Sequence, residues 1–166
     1  RHQCPRCGVE EDRTSQVELV RRFLRSQALY FVALGGNRSS KSWTGAICGT
    51  LTAMGAAHPD VVAFLRRNGL DRGRLQTAPG LVLAGSITND DSRDYLRPIY
   101  DDLLPDSWEW SARFAAQTAS TWMPGSGTGL PGSVLFKTTS GADASKRWQG
   151  TSSPLVHNDE DHGDVE

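Results

Sequence analysis

LYFVALGGNRSSKS, residues 29–42, decides how the rest of the chain is read. LYFVAL (29–34) is an unbroken apolar run without alternation, the pattern of a strand buried on both faces of a parallel sheet. It runs straight into GGNRSSKS (35–42). That stretch follows the phosphate-loop pattern G-x-x-x-x-G-K-[ST] at every fixed position but one. Gly35 opens the loop, Lys41 and Ser42 close it, and Ser40 stands where the pattern has glycine. Residues 42–56 then read as a helix with Trp43, Ile47 and Leu51 among its apolar positions. Strand, loop and helix in that order suit the chemistry. Backbone N–H groups of the loop turn inward, the lysine reaches the β- and γ-phosphates, and the hydroxyl holds Mg²⁺. The helix N-terminus adds partial positive charge for an anion. If the loop needs a positive φ at Ser40, serine there costs about 1 kcal/mol. The plain alternative is a strand, turn and helix with no ligand, in which the glycines serve only the turn.

Working outward, the same alternation continues. Thr14 or Ser15 is placed to cap a helix over 16–26, with Val17, Val20, Phe23 and Leu24 at helical spacing. HPDVVAFLRRNG (58–69) reads as an amphipathic helix ended by Gly69, and LVLAGS (81–86) as a second buried strand. Asn89 to Leu104 reads as a helix that stops at Pro105. The segment from Trp108 to Trp122 is ambiguous. SVLFKTTS (133–140) reads as a strand after a Gly/Pro-rich turn, and SSPLVHN (152–158) as a short strand ending on Asp159 and Glu160. Strands alternating with helices predict an α/β fold with a mainly parallel sheet and helices on both faces. The length suits one domain over 14–166, preceded by a polar tail over 1–13.

The acidic end supplies what a phosphate loop lacks. Hydrolysis of a nucleotide needs a carboxylate beyond a buried strand for Mg²⁺ and a second group to activate water. Asp159 is the candidate metal carboxylate and Glu160 the candidate catalytic carboxylate. The strand before them departs from the usual apolar run at His157 and Asn158. An acidic pair is common, and the bland reading is a solvated cluster: the last ten residues carry five acidic side chains and no Lys or Arg.

These residues resemble a known family. GGNRSSKS resembles the phosphate loop GGNRSGK[ST] of the large terminase subunits of tailed phages. FKTTSGADASKRWQGTSSPLVHNDED (136–161) is similar to the family segment in which a strand, a short helix and Q-G-T-S lead to the acidic motif. LVLAGSITNDDSRDYLRPIYDDLLP (81–105) looks like its second strand and following helix. The likeness covers roughly residues 14–166. It implies a RecA-like P-loop NTPase domain that hydrolyses ATP to drive double-stranded phage DNA into a procapsid. The partners it implies are a portal protein, a small terminase subunit and further copies in a ring, in the host cytoplasm. By the same resemblance, Gly35, Gly36, Asn37, Arg38, Ser39, Ser40, Lys41 and Ser42 cradle the phosphates, and Arg38 lies near the γ-phosphate. Ser42 and Asp159 hold Mg²⁺, Glu160 is catalytic, and Gln16, with Gln27 as the alternative, reads adenine. A surface salt bridge is the bland role for Arg38, and an exposed side chain for either glutamine. The family continues into a metal-dependent nuclease domain, and this chain, which opens on Arg1 and ends in an acidic cluster, reads as a fragment of such a protein.

Other features weigh less. The net charge of −1 gives no whole-chain argument for nucleic acid. No apolar run reaches the length of a membrane span, and an odd cysteine count suits a reducing compartment better than a disulfide framework. CPRCG supplies Cys4 and Cys7, half of a four-ligand Zn²⁺ knuckle, with free cysteines in a tail as the alternative. Cys48 reads as a core residue. Arg66, Arg67, Arg72 and Arg74 are a candidate DNA-backbone patch or a solvated face. Trp108, Trp110, Trp122 and Trp148 read as core or interface residues rather than stacking platforms. Two rival functions stay open: a helicase-like P-loop ATPase, and a degenerate module that does not hydrolyse nucleotide.

Overall fold

The computed structural model describes residues 2–3, 10–11, 16–28, 41–110, 120–124, 132–139 and 152–159. The expected strand over 29–34, residues 35–40 of the loop, Glu160 and both knuckle cysteines lie outside the described residues.

Two short strands, β1 (His2–Gln3) and β2 (Glu10–Glu11), pair antiparallel at the start of the chain. Helix α1 (Gln16–Arg25) buries Val20, Phe23 and Leu24, the 3.6-period stripe expected of it. Helix α2 (Lys41–Met54) is different in kind. Nine of its fourteen residues are buried, including seven in succession from Cys48 to Met54. It is an internal helix covered on most sides, so its small residues (glycine, alanine, threonine) set how closely its neighbours approach. Helix α3 (Pro59–Arg67) starts at its proline, which needs no N–H there, and His58 caps it by accepting from the Asp60 N–H at 3.3 Å.

The sheet is built on β3 (Leu81–Ser86). Val82 to Ser86 are all buried, so both faces of the sheet are covered there. On one side β3 pairs parallel with β6 (Ser133–Thr138), and on the other parallel with β7 (Leu155–Asn158). Two further strands, β4 (Glu109–Trp110) and β5 (Ser120–Trp122), extend the edge beyond β6 as antiparallel members. The order is β4-β5-β6-β3-β7. The fold is therefore α/β around a three-stranded parallel core, and the ambiguous tryptophan segment contributes its antiparallel edge.

The helix expected over Asn89–Leu104 is one rod with a wider turn inside it. It begins as α4 (Asn89–Asp91), passes through a π-turn at Ser92–Leu96 and continues as α5 (Arg97–Leu103). Thr88 starts it with a capping box: its hydroxyl accepts from the Asp91 N–H, and the Asp91 carboxylate accepts from the Thr88 N–H. Pro98 explains the π-turn. A proline has no N–H for the i−4 carbonyl and its ring crowds that carbonyl, and a wider turn just before it removes the conflict. The Arg97 N–H bonds instead to the Ser92 carbonyl, five residues back. Ser92, Leu96 and Tyr100 all end up buried on one face.

The register fixes what that face meets. Phe136, Ala84 and His157 lie abreast across β6, β3 and β7, and so project to one side of the sheet. Tyr100 of α5 packs edge-on against Phe136, with ring centroids 5.4 Å apart at 89°. Helix α2 lies against the same row. Among the described residues, α2 and α5 thus share one face of the parallel core.

Candidate functional site

Parallel strands bring all their carboxyl ends to one edge, where ligands of open α/β sheets bind. Here that edge holds Ser86 of β3, Thr138 of β6 and Asn158 of β7. The ladder extends past each strand end: the Thr139 N–H donates to the Ser86 carbonyl at 2.8 Å, and the Asp159 N–H donates to the Gly85 carbonyl at 2.9 Å. The second bond fixes the backbone of Asp159 just beyond the sheet.

The N-terminus of α2 arrives at the same edge. The Ser42 hydroxyl donates to Oδ1 of Asp159 at 2.9 Å, across 117 residues of chain. Two oxygen-bearing side chains that the sequence placed on separate motifs, both candidate Mg²⁺ ligands, therefore meet. Lys41, half-buried, is the first residue of α2, next to Ser42. The donor set is hard, one hydroxyl and one carboxylate beside a helix N-terminus. It fits Mg²⁺, which keeps several waters and takes few protein ligands plus substrate phosphate oxygens. Among the described residues no group of three or more His, Cys, Asp or Glu side chains is placed to enclose a metal.

Beneath the edge lies a contact that the sequence signalled only as an oddity. His157 is a polar residue in a strand otherwise expected to be apolar. Its ring is buried, at 9% exposure, and Nδ1 shares a 3.1 Å hydrogen bond with the Tyr100 hydroxyl, which is fully buried. Burial pushes the imidazole down to about 4, against the opposing pull of the Asp159 charge, so the ring is neutral at physiological pH. Burial likewise pushes the Tyr100 phenol above its ordinary range. The two buried groups share this one hydrogen bond.

Helix α2 makes room for both. A Cβ at Gly45 would fall 2.1 Å from His157 Nε2, and a Cβ at Gly49 would fall 2.2 Å from the Tyr100 hydroxyl. The two glycines are four residues apart and so lie on one face of the helix. They form a groove that admits the histidine and the tyrosine together. The spacing G-x-x-x-G in 45–49 was visible in the sequence, but only the fold shows what fills it.

Other expected site residues lie elsewhere. Gln16 is exposed at the start of α1. Gln27 lines a cleft of about 250 Å³ with Phe23, Thr52, Arg74 and Pro154. Thr52 is in the last turn of α2 and Ser42 in the first, so the cleft is at the opposite end of that helix from the Ser42–Asp159 pair. Cys48 is free and buried, as expected, and burial pushes its thiol up to about 12. Trp108 is buried too. The four arginines separate: Arg66, Arg67 and Arg72 are exposed, whereas Arg74 sits over the Phe23 ring at 5.0 Å and donates to the Ala28 carbonyl at 3.1 Å. No helix among the described residues is long and apolar enough to cross a membrane.

Comparison with family models, curated proteins and solved structures finds no match to this chain. The site's own chemistry and the sequence motifs are what bear on function.

Proposed function

We propose that the chain is the ATP-hydrolysing part of a terminase-type DNA-packaging motor, built as a RecA-like P-loop domain with helices on both faces of its sheet. The observation that carries the nucleotide half of this reading is the hydrogen bond between Ser42 and Asp159. A phosphate-loop hydroxyl and a carboxylate past a parallel strand need to share one metal ion, and these two side chains are already within bonding distance. The DNA-packaging half rests on the likeness of GGNRSSKS and QGTS…DE to terminase motifs.

In this reading ATP binds at the carboxyl edge of the sheet, with its phosphates at the start of α2. Residues Gly35 to Ser40 present backbone N–H groups, and Lys41 neutralises the β- and γ-phosphates. Ser42 and Asp159 hold Mg²⁺, which when bound offsets the negative charge of the phosphates. Glu160 orients and polarises the attacking water, and Arg38 stabilises charge on the transferring phosphoryl group. Gln16 reads the adenine. Double-stranded DNA is the translocated substrate, and the portal protein, small subunit and neighbouring copies are the partners of the assembled motor.

The test is ATP hydrolysis by the full-length protein. Lys41→Ala removes the phosphate contact, and Glu160→Gln keeps the shape while removing the base, which is worth about 10²-fold or more. Both variants are expected to lose hydrolysis, and Glu160→Gln to keep ATP binding. Unchanged turnover in both variants overturns the assignment.

A further inference from the structure

The nucleotide reading uses Ser42 and Asp159 but gives no task to the buried pair beneath them. That pair touches three elements at once. His157 is on β7, two residues before Asp159. Tyr100 is on α5. Both rings sit in the Gly45–Gly49 groove of α2, whose first turn carries Ser42. Gly45 is three residues beyond Ser42, about 4.5 Å along the helix axis. The seat of His157 on α2 thus sets how far β7 stands from the start of that helix. The same separation decides whether the Asp159 carboxylate reaches the Ser42 hydroxyl.

Plain packing does not call for these residues. An apolar strand residue against an alanine would fill the same space without burying a ring nitrogen and a phenol oxygen, each of which costs free energy unless bonded. The hydrogen bond gives something apolar contact does not: a fixed direction for the imidazole, since the bond from Nδ1 to the Tyr100 hydroxyl selects one ring orientation. The row continues through Tyr100 to Phe136 on β6, so α5 anchors the histidine to the middle of the sheet.

We propose that Tyr100 and His157 are positioning residues that hold the Ser42 hydroxyl and the Asp159 carboxylate at metal-sharing distance, with Gly45 and Gly49 as their seat. The proposal rests on reading Ser42 and Asp159 as the Mg²⁺ ligands. Neither residue touches nucleotide or metal; they act through Asp159. Partners one step behind metal ligands typically change metal affinity by 10–100-fold when removed, roughly, and that is the effect expected here.

The experiment compares wild type, Tyr100→Phe, His157→Leu and His157→Gln in the full-length protein. Tyr100→Phe deletes one oxygen and keeps the ring against Phe136. His157→Gln keeps a polar group that can bond the tyrosine hydroxyl as donor or acceptor. The first readout is the Mg²⁺ concentration giving half-maximal ATP hydrolysis at saturating ATP. It is expected to rise about tenfold in Tyr100→Phe and His157→Leu, and to stay within about threefold of wild type in His157→Gln. The second readout needs no nucleotide: in a crystal structure of Tyr100→Phe, the Ser42 hydroxyl and the Asp159 carboxylate are expected to separate beyond hydrogen-bonding distance. A lower melting temperature with an unchanged Mg²⁺ requirement and an intact Ser42–Asp159 bond means the pair only fills space, and overturns the proposal. If wild type does not hydrolyse ATP, the functional reading fails, and the crystallographic distance still decides the positioning claim: separation upholds it, retention overturns it.

Discussion

The imidazole of His157 occupies the place where a side chain at residue 45 would begin: a Cβ on Gly45 would lie 2.1 Å from Nε2. Helix propensity alone favours alanine over glycine at such a position by about 1 kcal/mol. Steric overlap with a buried ring reverses the sign, since overpacking a well-filled core costs about 1–3 kcal/mol. Gly45→Ala is therefore expected to lower the melting temperature by several degrees, at roughly 2–4 °C per kcal/mol for a chain of this size. Calorimetry on the double variant checks the cause. In a His157→Ala background the ring is gone, and Gly45→Ala becomes neutral or stabilising. Additive losses in the two variants refute the contact as the source.

Ser42 and Asp159 give a prediction about ligand linkage. A ligand that binds only the folded state raises the melting temperature, by about 2.7 kcal/mol of stabilisation at a hundredfold excess over Kd. Mg²⁺ with ATP is expected to produce such a rise in the wild-type protein, and EDTA to reverse it. Asp159→Asn removes the charge that attracts the cation and Ser42→Ala removes the hydroxyl. Both variants should unfold at nearly the same temperature with and without Mg²⁺-ATP in a thermal-shift titration. A full wild-type rise in either variant counts against the pair as metal ligands.

Cys48 gives a prediction about pH. Its thiol is pushed up to about 12 by burial, which outweighs the opposing influence of Arg74. The reactive thiolate is therefore disfavoured in the folded protein and becomes the main form only as pH approaches that value, whereas an ordinary cysteine ionises at about 8.5. Alkylation of Cys48 by iodoacetamide, followed by peptide mass mapping, should be slow throughout pH 7 to pH 9 and still climb about tenfold per pH unit at pH 9, because far below its pKa the thiolate fraction tracks hydroxide, whereas an ordinary cysteine levels off there. Unfolding in guanidinium should restore fast labelling that rises with pH. Rapid labelling of the native protein at pH 8 contradicts the burial of the thiol.

How much of this was legible in the sequence depends on which physical signal each element carries. LVLAGS announced β3 because a strand buried on both faces is apolar at successive positions, and Leu81–Ser86 matches the expected bounds. Helices α1 and α3 followed from periodicity, His58 and Pro59 adding a start signal to α3. The π-turn at Ser92–Leu96 escaped because hydrophobic spacing cannot tell one extra residue in a turn, although Pro98 was its cause in plain view. The edge strands β4 and β5 are two and three residues long, too short for any period to register. At the site, Ser42 and Asp159 could be named from motif spacing, while their hydrogen bond is a tertiary fact. His157 could be noted only as a misfit. Its partner Tyr100 is 57 residues away on another element, and no local pattern links them.

The arginines show the same division and give the last prediction. In sequence, Arg66, Arg67, Arg72 and Arg74 form one basic cluster, and nothing local sets any of them apart. The fold gives Arg74 a structural task. Its backbone N–H donates to the Leu24 carbonyl at 2.9 Å, its guanidinium lies over Phe23 and it donates to the Ala28 carbonyl, so it ties the 71–80 loop to the end of α1. A cation over an aromatic ring contributes about 0.5–1 kcal/mol at a partly exposed site, and the side-chain hydrogen bond adds a similar amount. Arg74→Ala is expected to lower stability by about 1–2 kcal/mol in urea unfolding, while Arg66→Ala and Arg67→Ala, exposed on α3, stay within about 0.5 kcal/mol of wild type. Arg74→Lys keeps the charge but loses the planar stacking and part of the fork of donors, so it should fall between the two. Equally small effects from all three alanine variants would mean that the Phe23 contact contributes nothing, and that Arg74 belongs with the exposed arginines as one undivided basic cluster.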